Sequence, residues 1–205
     1  MTRLYEQMFN WPNVLTIVRI SVIPLLVVFY YLPVTWGHLA AAALFTLASL
    51  TDWLDGYLAR YLKQTTRLGA FLDPVADKLM VSVALVLVVA EPTFQFVSIA
   101  SSVITIPAFV ITIPAGIIVA REIIVSALRE WMAEVGKRKS VAVSNLGKIK
   151  TTMQMLTLIL LLYCDNTTKG VLVLISYILL YVSAVLTIWS MLIYLKAARV
   201  QLEAE

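Results

Sequence analysis

Apolar residues fall in six long runs, at about 14–32, 38–61, 66–90, 95–130, 149–164 and 170–195, with short polar connections between them. A helix rises about 1.5 Å per residue, so about 20 apolar residues cross the hydrocarbon core of a bilayer. The pattern predicts an all-α, polytopic membrane protein, a six-transmembrane-helix bundle with a short N-terminal interfacial helix. In that interfacial helix Leu4, Tyr5, Met8 and Phe9 share one face, and Arg3, Glu6, Gln7 and Asn10 the other. Segment 1–12 therefore reads as lying in the membrane interface with Trp11 at headgroup depth, and residues 13–200 as one six-span domain. The first run is longer than the apolar core of a secretion signal and no small-x-small cleavage pattern follows it, so it reads as a span. The fourth run is too long for one straight span and contains Pro107 and Pro114. A kink, or a break into two helices, is expected at one of these prolines.

Composition agrees with a bilayer as solvent. The chain has 205 residues, 61% hydrophobic and 14% charged, with a mean hydropathy of +0.91. A soluble domain needs more polar surface, and six spans leave no room for a separate one of ordinary size. The formal net charge is +4, but no nucleic-acid module is recognisable. The basic residues flank the spans, where they set orientation and attract anionic lipid headgroups. With six spans, both termini share a side with the 62–66 and 133–148 connections, which together hold Arg3, Lys63, Lys137, Arg138, Lys139, Lys148, Lys196 and Arg199. The opposite connections hold only Lys169. The basic side is therefore expected to be cytoplasmic, as in a bacterial-type inner membrane protein.

Several residues read as structural. Cys164 is the only cysteine, so an intrachain disulfide is excluded and the thiol is expected to pack as a small apolar group of a helix. His38 is expected in an outer-face loop without a catalytic role. Tyr30, Tyr31 and Trp36 on one side, with Trp11 and Trp131 on the other, read as interfacial belts.

Ionisable residues inside apolar spans are costly and usually functional. Of twelve acidic residues, four lie in the cytoplasmic thirds of the second and third runs. Asp52, Asp55, Gly56 and Ala59 stand at i, i+3, i+4 and i+7 and share a helix face, and Asp73 and Asp77 are i and i+4 on the next helix. A short connection makes these helices antiparallel neighbours, so the two faces can meet. Four carboxylates together repel one another unless a cation compensates them, and hard oxygen ligands favour Mg²⁺ or Mn²⁺. Two divalent ions balance four negative charges, leaving Arg60 for an anionic ligand. Gly56, Ala59 and Gly69 remove side chains from the same surface, which leaves room for a bulky group. The combination describes a nucleotide-diphosphate pocket. Two plainer readings compete with it: Asp73 before Pro74 as a helix N-cap, and Asp52 and Asp55 as structural partners of Arg60 and Lys78. A divalent-cation transporter is the rival from another class, but it predicts acidic groups reaching both faces.

The pattern D-x-x-D-G-x-x-A-R-x8-G-x3-D-x3-D, from Asp52 to Asp77, resembles the signature of the CDP-alcohol phosphotransferase family at all eight fixed positions. Pro12-Asn13-Val14-Leu15-Thr16-Ile17-Val18-Arg19 opens the first span as in that family. Ala120-Arg121-Glu122 and Gly147-Lys148-Ile149-Lys150-Thr151 resemble the branch that makes phosphatidylglycerophosphate. Residues 94–117 depart from the family by being longer and more apolar. The resemblance implies six spans, two divalent ions held by Asp52, Asp55, Asp73 and Asp77, and Asp77 as general base. It also implies contacts from Gly56, Ala59, Arg60 and Gly69 to the CDP moiety, with CMP as a product and a homodimeric assembly. The substrates it implies are CDP-diacylglycerol and sn-glycerol 3-phosphate, with another alcohol acceptor such as inositol phosphate as the alternative. A phosphorylated acceptor demands fixed positive charge, for which Arg121, Lys148 and Lys150 are candidates. For the lysines the competing role is positive-inside anchoring, and for Arg121 a pair with Glu122 or Glu130. Arg19 either snorkels to the interface or joins the phosphate site.

Overall fold

In a computed structural model the chain is described over residues 11–61, 67–99, 102–135 and 145–202. Six α-helices run through these residues: α1 (Trp11–Tyr31), α2 (Gly37–Tyr61), α3 (Arg67–Ala90), α4 (Phe109–Glu134), α5 (Asn145–Tyr163) and α6 (Gly170–Leu202). Among the described residues α1, α4 and α6 are long and apolar enough to cross a membrane by themselves, and α5 contributes a shorter apolar stretch. The protein is an all-α membrane protein, as the six apolar runs predict. The expected interfacial helix at 2–11 lies outside the described residues.

Two compact units divide the chain, one holding residues up to Ala90 with Leu162–Asp165, the other Glu91–Leu161 with residues from Asn166 onward. In the first unit α1 packs on both α2 and α3. The buried face of α2 is Ala41, Ala42, Phe45 and Ala48, and that of α3 includes Ala76, Met80, Ala84, Leu87 and Val88. Both are stripes at helical spacing, rich in small residues that let backbones approach closely where lipid supplies no hydrophobic drive between helices. The turn from α1 into α2 is tight at Gly37, where a Cβ would stand 2.7 Å from the Phe29 carbonyl oxygen. Asp73 is not an N-cap: α3 begins at Arg67 and carries Pro74 in its interior. His38 belongs to the first turn of α2, not to a loop, and its ring packs 4.5 Å from that of Tyr30. Tyr30 is buried, unlike the exposed Tyr31, Trp36 and Trp131. The side chain of Trp11 lies outside the described residues.

The second unit contains the departure from an uninterrupted helical pattern. After a 3-10 turn at Pro92–Phe94, strands β1 (Phe96–Ile99) and β2 (Ser102–Thr105) pair antiparallel, with Phe96 opposite Thr105 and Val97 opposite Ile104. The apolar run at 95–130 is therefore not two helices: its first part is a hairpin, and α4 starts just after Pro107. Pro114 sits inside α4. The hairpin is anchored inward by Val97, while Phe96, Val103 and Ile104 stay exposed. Phe94 is buried edge-on to Tyr177, whose hydroxyl donates to the Phe94 carbonyl at 2.5 Å. Pairing between strands satisfies backbone groups that no helix serves here. Along α4 and α6, Val125, Met132, Tyr194 and Ala198 form a continuous buried cluster. In the first unit Cys164 is buried as expected, but one residue beyond the end of α5 and not within a helix.

Candidate active site

Three helices of the first unit meet at one polar point. Thr16 and Arg19 lie three residues apart on α1 and so project from one face. The Thr16 hydroxyl donates to Asp73 Oδ1 of α3 at 2.6 Å. Arg19 is 2% exposed, and its Nη1 donates to Asp52 Oδ1 of α2 at 2.6 Å and to Asp77 Oδ1 of α3 at 3.0 Å. One guanidinium nitrogen thus bridges carboxylates from two helices. The Asp52 and Asp77 side chains are 38% and 42% exposed. The arrangement is a buried cationic floor beneath two partly open carboxylates.

This settles Arg19: it does not snorkel, and α1 supplies a counter-ion to Asp52. A buried guanidinium without partners costs several kcal/mol, and two carboxylates without a cation repel, so each side of the contact stabilises the other. Arg suits the place because its guanidinium stays charged when buried and its Nη1 carries two N–H groups, one for each carboxylate. Asp52, Asp73 and Asp77 are brought together, as the spacing predicts. Gly69 is buried in the first turn of α3. Asp55, Gly56, Ala59 and Arg60 belong to α2, but their side chains lie outside the described residues, as does that of Lys148 in α5.

The donors fit a hard divalent ion. They are oxygen-only, and Asp52 and Asp77 already converge on a positive charge. Among the described residues no three acidic, histidine or cysteine side chains form a group that could hold an ion unaided; the side chain of Asp55, the fourth aspartate of the motif, lies outside them. Arg19 also changes the charge balance. Four aspartates and one arginine leave −3, and two divalent ions would bring the site to +1, suited to an anionic diphosphate. Arg19→Gln is therefore expected to lower stability by about 1.5–3 kcal/mol in chelator, the worth of hydrogen bonds to charged groups. Mg²⁺ should narrow the gap by replacing the lost positive charge. Thermal unfolding of wild type and variant, each with chelator and with Mg²⁺, checks this; a gap that divalent ions leave unchanged would separate these carboxylates from metal binding.

The second unit holds a basic cluster. Arg121 lies on the buried stripe of α4 between Ile118 and Val125. Its Nη1 donates to Glu122 Oε1 at 3.1 Å and its Nη2 to Ser190 Oγ of α6 at 3.0 Å. Lys150 of α5 donates to the same Glu122 oxygen. Lys150 is 3% exposed, which rules out a solvated anchoring role for it. The Arg121–Glu122 pair weighed from sequence is present, but Glu122 holds two cations, so among the described residues the cluster keeps one unbalanced positive charge. Thr16 and Ser190 are polar partners that sequence reasoning missed, as was the bond from Lys150 to Glu122. Thr16 had a signal, three residues before Arg19 in the opening motif; Ser190 had none within an apolar run.

Apolar helices that carry a buried arginine beneath partly open aspartates define an integral membrane protein with ionised groups on its helix faces. The sequence profile of CDP-alcohol phosphatidyltransferases matches residues 9–189. The chain belongs to that family, and is thus a transferase. Among its relatives, a protein of Escherichia coli (strain K12) is 50% identical over 197 residues, 95% of this chain and 97% of that one. One of Pectobacterium atrosepticum is 52% identical over 192 residues, 93% and 96% of the two chains. One of Shigella flexneri serotype 5b is 50% identical over 197 residues, with coverage of 95% and 97%. All three are named CDP-diacylglycerol–glycerol-3-phosphate 3-phosphatidyltransferase.

Proposed function

We propose that this protein transfers the phosphatidyl group of CDP-diacylglycerol to sn-glycerol 3-phosphate, giving phosphatidylglycerophosphate and CMP in phospholipid biosynthesis. The observation that carries this reading is the likeness, over nearly the whole chain, to relatives whose names state that reaction. The meeting of Asp52 and Asp77 over Arg19 supports it, because phosphoryl transfer needs positioned oxygens and compensated charge more than covalent chemistry.

The acceptor hydroxyl oxygen attacks the phosphatidyl phosphorus, a new P–O bond forms, and the bond to the CMP phosphate breaks with its electron pair leaving on CMP. Asp77 takes the hydroxyl proton. A half-exposed carboxylate whose Oδ1 is pinned by Arg19 is held in one rotamer, as a base acting at a fixed place requires. Members of the family generally depend on divalent metal; here Asp52, Asp55, Asp73 and Asp77 would hold two ions, Mg²⁺ or Mn²⁺. Such ions neutralise charge on attacking and leaving oxygens. Gly56, Ala59, Arg60 and Gly69 contact the CDP moiety. Arg121, Lys148 and Lys150 bind the acceptor phosphate. The enzyme works as a homodimer in a bacterial-type inner membrane, with both termini and the active site cytoplasmic and anionic lipids against its basic rim.

Purified protein incubated with CDP-diacylglycerol and candidate acceptors should release CMP with sn-glycerol 3-phosphate and not with inositol phosphate. No CMP release with glycerol phosphate, or equal release with either, overturns the assignment. Arg121→Ala and Lys148→Ala should each raise the acceptor KM or lower its kcat/KM roughly 10- to 100-fold, the worth of a charge-assisted hydrogen bond in a partly dry site. Donor binding should change little. Unaltered acceptor kinetics would make both residues topological anchors only.

A further inference from the structure

A buried polar seam runs between α5 and α6 within the second unit. On α5 it consists of Lys150, Gln154 and Thr157, at i, i+4 and i+7, and on α6 of Ser183, Thr187 and Ser190, also at i, i+4 and i+7; all six are buried. The Thr157 and Ser183 hydroxyls are 2.9 Å apart and fix the level of one helix against the other. Counting one turn back along α5 and forward along α6 brings Gln154 level with Thr187. A further turn brings Lys150 level with Ser190, where Arg121 and Glu122 also meet them. The seam thus leads from the basic cluster one turn deeper, and Thr157 and Ser183 close it.

Its middle is unsatisfied. Gln154 Oε1, Thr187 Oγ1 and Arg121 Nε have no hydrogen-bond partner among the described residues. Gln154 is 3% exposed and Thr187 0%. A buried polar atom left unpaired costs about 1–3 kcal/mol. A helical threonine ordinarily relieves this by donating to the carbonyl four residues back, as Thr157 does to Met153 at 2.7 Å. Thr187 makes no such bond. The level above has one positive charge in excess. An excess cation beside an unpaired guanidinium N–H calls for an anion, and the amide oxygen and hydroxyl one turn away call for a neighbouring hydroxyl group. A phosphate and a hydroxyl on one short carbon chain meet both demands.

We propose that Gln154 and Thr187 are specificity-determining residues that read the acceptor's second hydroxyl, the one that does not attack. The phosphate of this phosphorylated polyol is held by Arg121 and Lys150. The inference rests on the proposed reaction for the identity of the acceptor. It goes further in assigning recognition of the carbon-2 hydroxyl to two residues inside the helix interface. A site built to hydrogen-bond a hydroxyl discriminates strongly against an analogue lacking it, because its own buried groups then stay unpaired.

The test compares sn-glycerol 3-phosphate with 3-hydroxypropyl phosphate, which keeps the phosphate and the attacking hydroxyl and lacks the hydroxyl at carbon 2. Wild type should prefer glycerol phosphate in kcat/KM by at least about tenfold, the worth of one net hydrogen bond. Thr187→Val and Gln154→Met, which keep volume and remove the polar atom, should each reduce that preference several-fold to tenfold. Thr187→Ser, which restores the hydroxyl, should keep it. Because the readout is a ratio for one protein preparation, partial loss of folded protein does not mimic the result. A wild type without preference, or a preference unchanged in both Thr187→Val and Gln154→Met, overturns the assignment and leaves the seam a structural contact between helices. Ligand-induced shifts in thermal unfolding, measured with the same two compounds, report the preference without turnover. If CMP release fails with every acceptor, the proposed reaction is lost while these shifts still decide whether the seam distinguishes the hydroxyl.

Discussion

Asp77→Asn is expected to retain protein level and CDP-diacylglycerol binding while losing turnover by about 10²–10⁴-fold, the usual worth of a positioned general base. The substitution keeps size and one carbonyl oxygen, but the amide cannot take a proton from an attacking hydroxyl. It also keeps an acceptor for Arg19 Nη1, now 3.0 Å from Asp77 Oδ1, so the floor of the site should stay in place. Asp55→Asn should behave differently, weakening metal-dependent donor binding along with turnover. Pairing donor affinity with single-turnover rate separates the two. An Asp77→Asn protein turning over near the wild-type rate would make Asp77 a ligand at most, and the base would be another group.

Removal of divalent ions should abolish activity altogether, and Mg²⁺ or Mn²⁺ should restore it. Asp52, Asp73 and Asp77 with Arg19 carry a formal charge of −2, and the proposed ligand set adds Asp55. An anionic diphosphate entering such a site meets repulsion of several kcal/mol at the low effective dielectric of a membrane protein interior. Arg19 cannot relieve it, because its guanidinium is already committed to Asp52 and Asp77. Chelation therefore acts first on donor binding and through it on rate. The check is CMP release after rigorous chelation and again after titrating back each metal, alongside donor affinity in both states. Full activity without divalent ions would defeat the two-metal reading. Restored donor binding without restored turnover would assign the ions to substrate binding alone.

Much of the site was legible from spacing. Helical periodicity within α2 and α3 places Asp52 on one face and Asp73 with Asp77 on another, and α1, packed on both helices, joins the two faces through Arg19. Apolar run lengths likewise give the six helices, because the need to satisfy every backbone group in lipid leaves few alternatives to a helix. The hairpin at 96–105 escaped because a short apolar run reads the same in strand and helix. Only local pairing and the anchoring of Val97 and Phe94 against the second unit's interior choose between them. Pro107 was a real boundary signal, but it marks the start of a helix and not a break between two.

What the sequence by itself determined is the membrane-spanning helical class, the family, and the residues that carry charge into the spans. What only the tertiary structure decided is who meets whom. Arg19 bridges Asp52 and Asp77, Thr16 binds Asp73, and one glutamate, Glu122, holds both Arg121 and Lys150. Tyr30 turns inward although Tyr31 beside it stays out. Periodicity reports which residues of one helix share a face. It carries no information on the rotation of that helix about its axis, or on its level against a neighbour. Those two settings come from close packing of small and large side chains across each interface, and they bring the Thr157 and Ser183 hydroxyls to 2.9 Å in the seam.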